Sequence, residues 1–187
     1  AVTFGDIPVK SIESEADDSV VVVAGFKNPT EKALAVTLVA DTGATVVQGD
    51  GWKYVNVAKI ADITPTSGQY GTRATISGSG MLGGGEKIVS VTLDGVEVDT
   101  IKSSTESTVD VIVAEGDASD AAGAIVMVAE SGSIVSRGAM FTYIVAGDVA
   151  TVTPAVGQEG TYVQIDGSGL LGGGDHVIEV TLAGVAA

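Results

Sequence analysis

The sequence predicts an all-β chain of β-sandwich units in tandem, and three observations carry that expectation. Stretches of it recur at a constant offset of 89 residues. Its apolar residues fall in short runs rich in Val, Ile and Thr, separated by Gly, Asp and Ser. No long segment keeps the 3.6-residue period of a helix.

The repeat comes first because it sets the domain count. Ile63-Thr64-Pro65-Thr66-Ser67-Gly68-Gln69 returns as Val152-Thr153-Pro154-Ala155-Val156-Gly157-Gln158. Gly78-Ser79-Gly80-Met81-Leu82-Gly83-Gly84-Gly85 returns as Gly167-Ser168-Gly169-Leu170-Leu171-Gly172-Gly173-Gly174. Residues 60–98 and 149–187 share 20 identities over 39 positions without a gap. The offset also works backwards: Val91-Thr92-Leu93 falls on Val2-Thr3-Phe4, and Phe141-Thr142-Tyr143 on Trp52-Lys53-Tyr54. The expected organisation is therefore the rear part of one unit over 1–59, a complete unit over 60–148, and the front part of a third over 149–187.

Within the complete unit the strand-like runs are Arg73–Ser77, Ile88–Leu93, Val96–Ile101, Thr108–Val113, Ala124–Ala129 and Met140–Ile144. Such runs at intervals of about 8–12 residues signal a sandwich or barrel. Val, Ile and Thr suit a pleated, half-buried surface. Asp94-Gly95 and Ser131-Gly132 supply Gly where tight turns need positive φ. Asp117–Gly123 offers at most a helical turn. A unit of 89 residues with about seven strands has the size of an immunoglobulin-like sandwich of roughly 100 residues.

Composition narrows the function classes. Of 187 residues 26 are Gly, without a collagen period, and there is no Cys, so disulfide scaffolds and Cys-ligated metal sites are excluded. With 24 acidic and 9 basic side chains the net charge is −15. That disfavours binding to nucleic acid or to an anionic membrane. The complete unit alone has 12 acids and 4 bases. No run approaches the roughly 18 apolar residues of a membrane-spanning helix. The start at Ala1, without Met or a signal-like region, leads us to expect a mature product or a fragment.

The order and spacing of Ile63-Thr64-Pro65-x-Ser67-Gly68, Thr75-Ile76-Ser77-Gly78-Ser79-Gly80, Val91-Thr92-Leu93-Asp94-Gly95-Val96 and a closing Phe141-Thr142-Tyr143 resemble the IPT/TIG family. The match runs over essentially all of 60–148 and, in part, over the two partial units. The resemblance implies an immunoglobulin-like fold, found in tandem in cell-surface proteins and also in polysaccharide enzymes. One departure is Val113-Ala114-Glu115-Gly116, where the family often has a Thr-Pro step. The junctions after Tyr54 and Tyr143 are short and carry no Gly/Ser- or Pro-rich linker, which implies a stiff end-to-end rod.

Candidate chemistry is sparse. Gly78–Gly83 and Gly167–Gly172 spell G-x-G-x-x-G, but a dinucleotide site needs a helix after the glycines, and strand residues follow here. A sharp loop is the expected role. His176, the single histidine, falls on Lys87 in the repeat, and one imidazole makes neither a metal enzyme nor a catalytic set. Glu115, Asp117 and Asp120 offer oxygens to Ca²⁺, yet their equivalents are Phe26, Asn28 and Glu31, so a solvated loop is expected. Asp17-Asp18 reads as another exposed turn. Trp52 and Phe141, like Tyr54 and Tyr143, share repeat positions and are expected to plug the core at the last strand. Asn28-Pro29-Thr30 fails the N-glycosylation rule because Pro sits at its middle. No catalytic, cofactor-binding or metal-ligating residue is expected.

An incomplete sandwich exposes core and unpaired edges. Either the chain is a stretch of a longer tandem array whose neighbours complete the halves, or the tail of one copy completes the head of the next. The start without Met and the phase of the cut favour the array. The expected function is a structural, non-catalytic repeat segment of an extracellular filament, stalk or surface appendage, with an adhesive role open. Its expected partners are adjacent repeats or copies of itself, end to end. The alternative is a glycan- or protein-binding module, or an accessory module of a polysaccharide enzyme, with loop differences such as Tyr70 against Glu159 as its signature.

Overall fold

The computed structural model describes all residues, Ala1–Ala187, and the chain divides into two units, Ala1–Val57 and Ala58–Ala187. Both are built of strands without a helix.

The first unit holds β1 (Val2–Phe4), β2 (Ile7–Pro8), β3 (Ser11–Glu15), β4 (Val20–Val23), β5 (Leu34–Val39) and β6 (Thr45–Trp52). One sheet has the order β2-β1-β5-β6, and β3 and β4 form a separate hairpin. Its buried core is only Val2, Phe4 and Tyr54. Trp52, expected as a core plug, is instead 37% exposed, on a strand exposed along its whole length, although its ring stacks on Phe4 with centroids 4.7 Å apart and meets Tyr54 edge-on at 5.9 Å. Offset and edge-on pairs of this kind suit the aromatic quadrupole.

The second unit contains a complete sandwich. Its strands are β7 (Lys59–Thr64), β8 (Ser67–Gly68), β9 (Arg73–Ser79), β10 (Ile88–Leu93), β11 (Val96–Glu97), β12 (Thr100–Ser104), β13 (Thr108–Ile112), β14 (Gly123–Ala129) and β15 (Ile134–Tyr143). One sheet runs β11-β10-β14-β15-β8 and the other β12-β13-β9-β7. Their facing residues alternate with exposed ones, as period-2 strands require. Ile63, Ile76, Val109 and Val111 from one sheet meet Val91, Leu93, Ile125, Met127 and Phe141 from the other in a single apolar cluster. Phe141 and Tyr143 are buried and pack edge-on, 5.3 Å apart, which is the plug expected from the sequence. Beyond the sandwich, β16 (Asp148–Thr153) pairs with β17 (Gln164–Ser168), and β18 (Thr181–Leu182) with β19 (Val185–Ala186).

Four readings of the sequence need correction. Val96–Ile101 is not one strand. β11 pairs with β10 in one sheet and β12 with β13 in the other. The switch is made at Val98 and Asp99, whose amides donate to Val91 in the first sheet and Ile112 in the second. The strand Lys59–Thr64 is not among the runs expected from the sequence, because a bulge between Ile60 and Asp62 interrupts its alternation. The last strand begins at Ile134, not Met140, since the polar stretch Ser136-Arg137-Gly138 reads as a turn but continues the ladder beside an irregularity. Asp117–Gly123 makes no helical turn; the Ser119 hydroxyl instead bridges the Ala121 amide and carbonyl.

Asp94-Gly95 is the tight turn its residues foretold, with φ of 50° and 81°, the pair of positive values that a two-residue hairpin loop demands. The departure at Val113–Gly116 has a packing reason. A Cβ on Gly116 would lie 2.6 Å from Cε1 of Tyr143, so the ring rests directly on that backbone.

Candidate functional site

The glycine-rich motifs form loops, not phosphate cradles. After Gly78–Gly83 the chain passes through Gly84, at φ of 84°, straight into β10. A Cβ at Gly78 would lie 2.1 Å from the Lys59 carbonyl oxygen, so this Gly is set by close approach of two strands. His176 is exposed, as are Glu115, Asp117, Asp120, Asp17 and Asp18. No three acidic or histidine side chains converge as a metal-holding group.

What the structure does bring together is a set of open sheet edges whose counterparts are closed elsewhere in the same chain. In the complete sandwich β13 pairs with β12 on one side and β9 on the other. The hairpin β3–β4 repeats the β12–β13 pairing residue for residue, 89 positions earlier. Ser11 lies opposite Val23, Ile12 opposite Val22, and Glu15 opposite Val20, with the same bulge. The outer side of β4, however, has no strand beside it. The hairpin β16–β17 likewise repeats the β7–β9 pairing and its bulge, and the outer side of β17 is open.

Exposure follows from that difference. Val109 on β13 is 0% exposed, whereas its repeat equivalent Val20 on β4 is 36% exposed. Met81, at the head of the glycine loop, is 1% exposed, and its equivalent Leu170 is 41% exposed. Both members of each pair are apolar, so the same side-chain type is core in one place and surface in the other.

The first unit also carries a groove of about 700 Å³, lined by Val2, Ile12, Val20, Leu38 and Val46, with Asp17 at its border. In the complete sandwich the corresponding place is filled by the glycine loop. Met81 joins the core there, its amide donates to the Glu106 carbonyl at 3.2 Å, and the Ser131 hydroxyl donates to the Gly83 carbonyl at 3.0 Å. Glu106 is the equivalent of Asp17.

A second groove of about 620 Å³ lies within the second unit, between Gln69 and Tyr70 on one side and Leu170, Leu171, His176 and Glu179 on the other. Gln69 Oε1 accepts from the Gly147 amide at 2.5 Å, which ties the sandwich to the start of β16.

Titration marks local order rather than catalysis. The hydroxyls of Thr75 and Ser103 donate to the two oxygens of Asp110 at 2.6 and 2.7 Å and hold its carboxyl below the usual carboxylate range. Asp6, hydrogen-bonded to Lys27 at 2.6 Å, is lowered in the same way. Burial, with the charge of Asp94 as a smaller cause, pushes the Tyr143 phenol up; its oxygen is buried without a hydrogen-bond partner, as is that of Tyr54.

The geometry defines an immunoglobulin-like β-sandwich followed and preceded by sheet fragments. Residues 58–143 match the IPT/TIG domain family, so the chain carries an IPT/TIG domain over that segment. No curated protein matches the chain. Among solved structures, the full extracellular region of plexin A4 is similar at 15% identity and a TM-score of 0.54, over 82% of this chain and 13% of that one. An auxiliary nutrient binding protein from Bacteroides ovatus is similar at 21% identity and a TM-score of 0.39, over 51% of this chain and 23% of that one. The SGBP-B protein of the mixed-linkage glucan utilization locus of Bacteroides ovatus, bound to a mixed-linkage heptasaccharide, is similar at 13% identity and a TM-score of 0.37, over 76% of this chain and 37% of that one. The chain thus spans well under two thirds of each. The plexin likeness speaks for the fold alone. No helix is long and apolar enough to cross a membrane.

Proposed function

We propose that this chain is a structural, non-catalytic repeat segment of an extracellular filament, stalk or surface appendage. It acts by stacking IPT/TIG-like units end to end. The observation that carries this reading is the repeated register: β3–β4 keeps the pairing of β12–β13, and β16–β17 that of β7–β9, at one 89-residue offset. The acidic surface, at −15 overall, keeps such a rod soluble and discourages sideways clumping. Electron microscopy of the native material tests it: rods with an axial repeat of one domain length are expected, and compact isolated particles would refute it.

A second reading, a glycan- or protein-binding module, is favoured by the groove beside Tyr70, which is largely exposed there. An exposed aromatic beside a polar groove suits a sugar face. A glycan array probed with the chain separates the two: saturable binding lost in Tyr70→Ala would support the binding module.

A further inference from the structure

We propose that the Gln69 side chain is a latch that fixes the sandwich to the front of the next unit, so that the two move as one body. This rests on the reading of stacked units above and names the joint between them.

Gln69 is held out by a turn that the sequence repeats. Gln69-Tyr70-Gly71-Thr72 returns as Gln158-Glu159-Gly160-Thr161. In both copies the Gln amide donates to the Thr hydroxyl, at 3.1 and 3.0 Å, and the Thr amide to the Gln carbonyl, also at 3.1 and 3.0 Å. In both, Gly takes the positive φ of the third turn position, 84° and 81°. The second turn residue differs, Tyr70 against Glu159, whereas Gln is kept. The Gln backbone is thus fixed by its own turn, whatever its side chain meets.

That side chain reaches the connection between the units. The sandwich ends at Tyr143 and β16 opens at Asp148, with Ile144–Gly147 between. Both ends of this stretch are tied to the same turn. The Ile144 amide donates to the Gly68 carbonyl at 3.0 Å, and the Gly147 amide to Gln69 Oε1 at 2.5 Å. The amides of Val145 and Ala146 make no backbone bond, so the hold at the far end falls to Gln69. Neighbouring domains with a small interface swing by default. A short connection limits their separation more than their rotation, and bonds at both of its ends remove that rotation.

The next unit closes on the joint with its glycine loop. A Cβ on Gly147 would lie 2.5 Å from the Gly169 carbonyl oxygen, one on Gly172 3.2 Å from Gln69 Nε2, and one on Gly173 2.9 Å from Ile144 Cδ1. The approach is therefore closer than side chains at these positions would allow. Gly169, Gly172 and Gly173 have φ of 59°, 59° and 87°, against 62°, 54° and 84° for Gly80, Gly83 and Gly84 in the complete unit. The loop brings its own shape to the joint rather than taking it from the contact.

Amide exchange followed by NMR in the full-length chain reads the latch directly. With intrinsic rates divided out, the Gly147 amide should exchange more slowly than that of Ala146. Gln69→Ala should speed Gly147 roughly two- to ten-fold, which is what one net hydrogen bond is worth. Gln69→Glu keeps the acceptor and should leave Gly147 slow. Gln158→Ala, the same turn residue away from the joint, should change nothing at Gly147. Cross-strand contacts between β16 and β17 check that the hairpin stays formed in each variant. A Gly147 that exchanges as fast as Ala146, or that ignores Gln69→Ala, overturns the proposal. The chain has no Cys, so spin labels placed by Lys102→Cys and Glu159→Cys, both exposed, read the motion. A narrow distance distribution that widens several-fold in Gln69→Ala supports the proposal; equal widths overturn it. If rods form while Gly147 exchanges freely, the latch is wrong and the stacking stands. Compact isolated particles with a slow Gly147 would keep the latch and sink the stacking.

Discussion

Aspartate placed at Val109 and at Val20 should have opposite consequences, although the two positions are one repeat apart and both valine. Val109 is 0% exposed at the centre of the sandwich. Holding a carboxyl neutral there at pH 7, about three units above its ordinary pKa, costs ~4 kcal/mol. Leaving the protonated group without a partner adds ~1–3 kcal/mol, and the lost valine burial ~1.5–3 kcal/mol. The total of roughly 7–10 kcal/mol is set against a stability of about 4–13 kcal/mol for a domain of this size. Val109→Asp should therefore abolish most or all of the sandwich's folding. At Val20, which is 36% exposed beside an open edge, the carboxylate reaches water and the cost should stay within about 1 kcal/mol. The assay is urea unfolding of dilute chain by circular dichroism. Fluorescence of Trp52, the single tryptophan, follows the first unit separately. If Val20→Asp unfolds its unit as thoroughly as Val109→Asp unfolds the sandwich, β4 is not an open edge and the reasoning fails.

Phe141→Ala removes a fully buried ring packed on Tyr143, and should cost the sandwich about 3–5 kcal/mol in urea unfolding. Tyr143→Phe deletes a buried hydroxyl that lacks a partner, so stability should hold or rise by about 1 kcal/mol. The Tyr143 phenol is raised in the fold, so the unfolded chain loses that proton first; folding should weaken above about pH 10, and the phenylalanine variant should weaken less. Asp110 is lowered in the fold, so its contribution is present above the ordinary carboxylate pKa of about 3.9 and is lost as pH falls through its folded value. Asp110→Asn should flatten the acid limb of the stability profile measured by thermal melts. Because the chain carries a net charge of −15, end-to-end association followed by light scattering should increase with added salt, which screens exposed like charges.

The fold class and the repeat were legible in the sequence because they rest on period-2 alternation and on a gapless offset. Ile88–Leu93 was read with its observed ends, since both flanks are marked by turn residues and its inward residues are all apolar. The sheet switch at Val98-Asp99 was not legible: the inward residues slip from Val96 and Val98 to Ile101 as they would at a bulge, and only the two hydrogen-bond partners reveal that the chain changes sheets. Bulges hid the strand Lys59–Thr64 and the early part of the strand ending at Tyr143 for the complementary reason, that the ladder continues while the alternation breaks. The open edges could be inferred in outline by counting missing strands. The groove lined by Val2, Ile12, Val20, Leu38 and Val46 could not, because it needs the hairpin and the sheet placed together in space and depends on no single residue.

Electron microscopy of assembled material is the most direct test that these units stack end to end. The account predicts rods whose axial repeat equals the length of one sandwich, and fields of compact, isolated particles would contradict it.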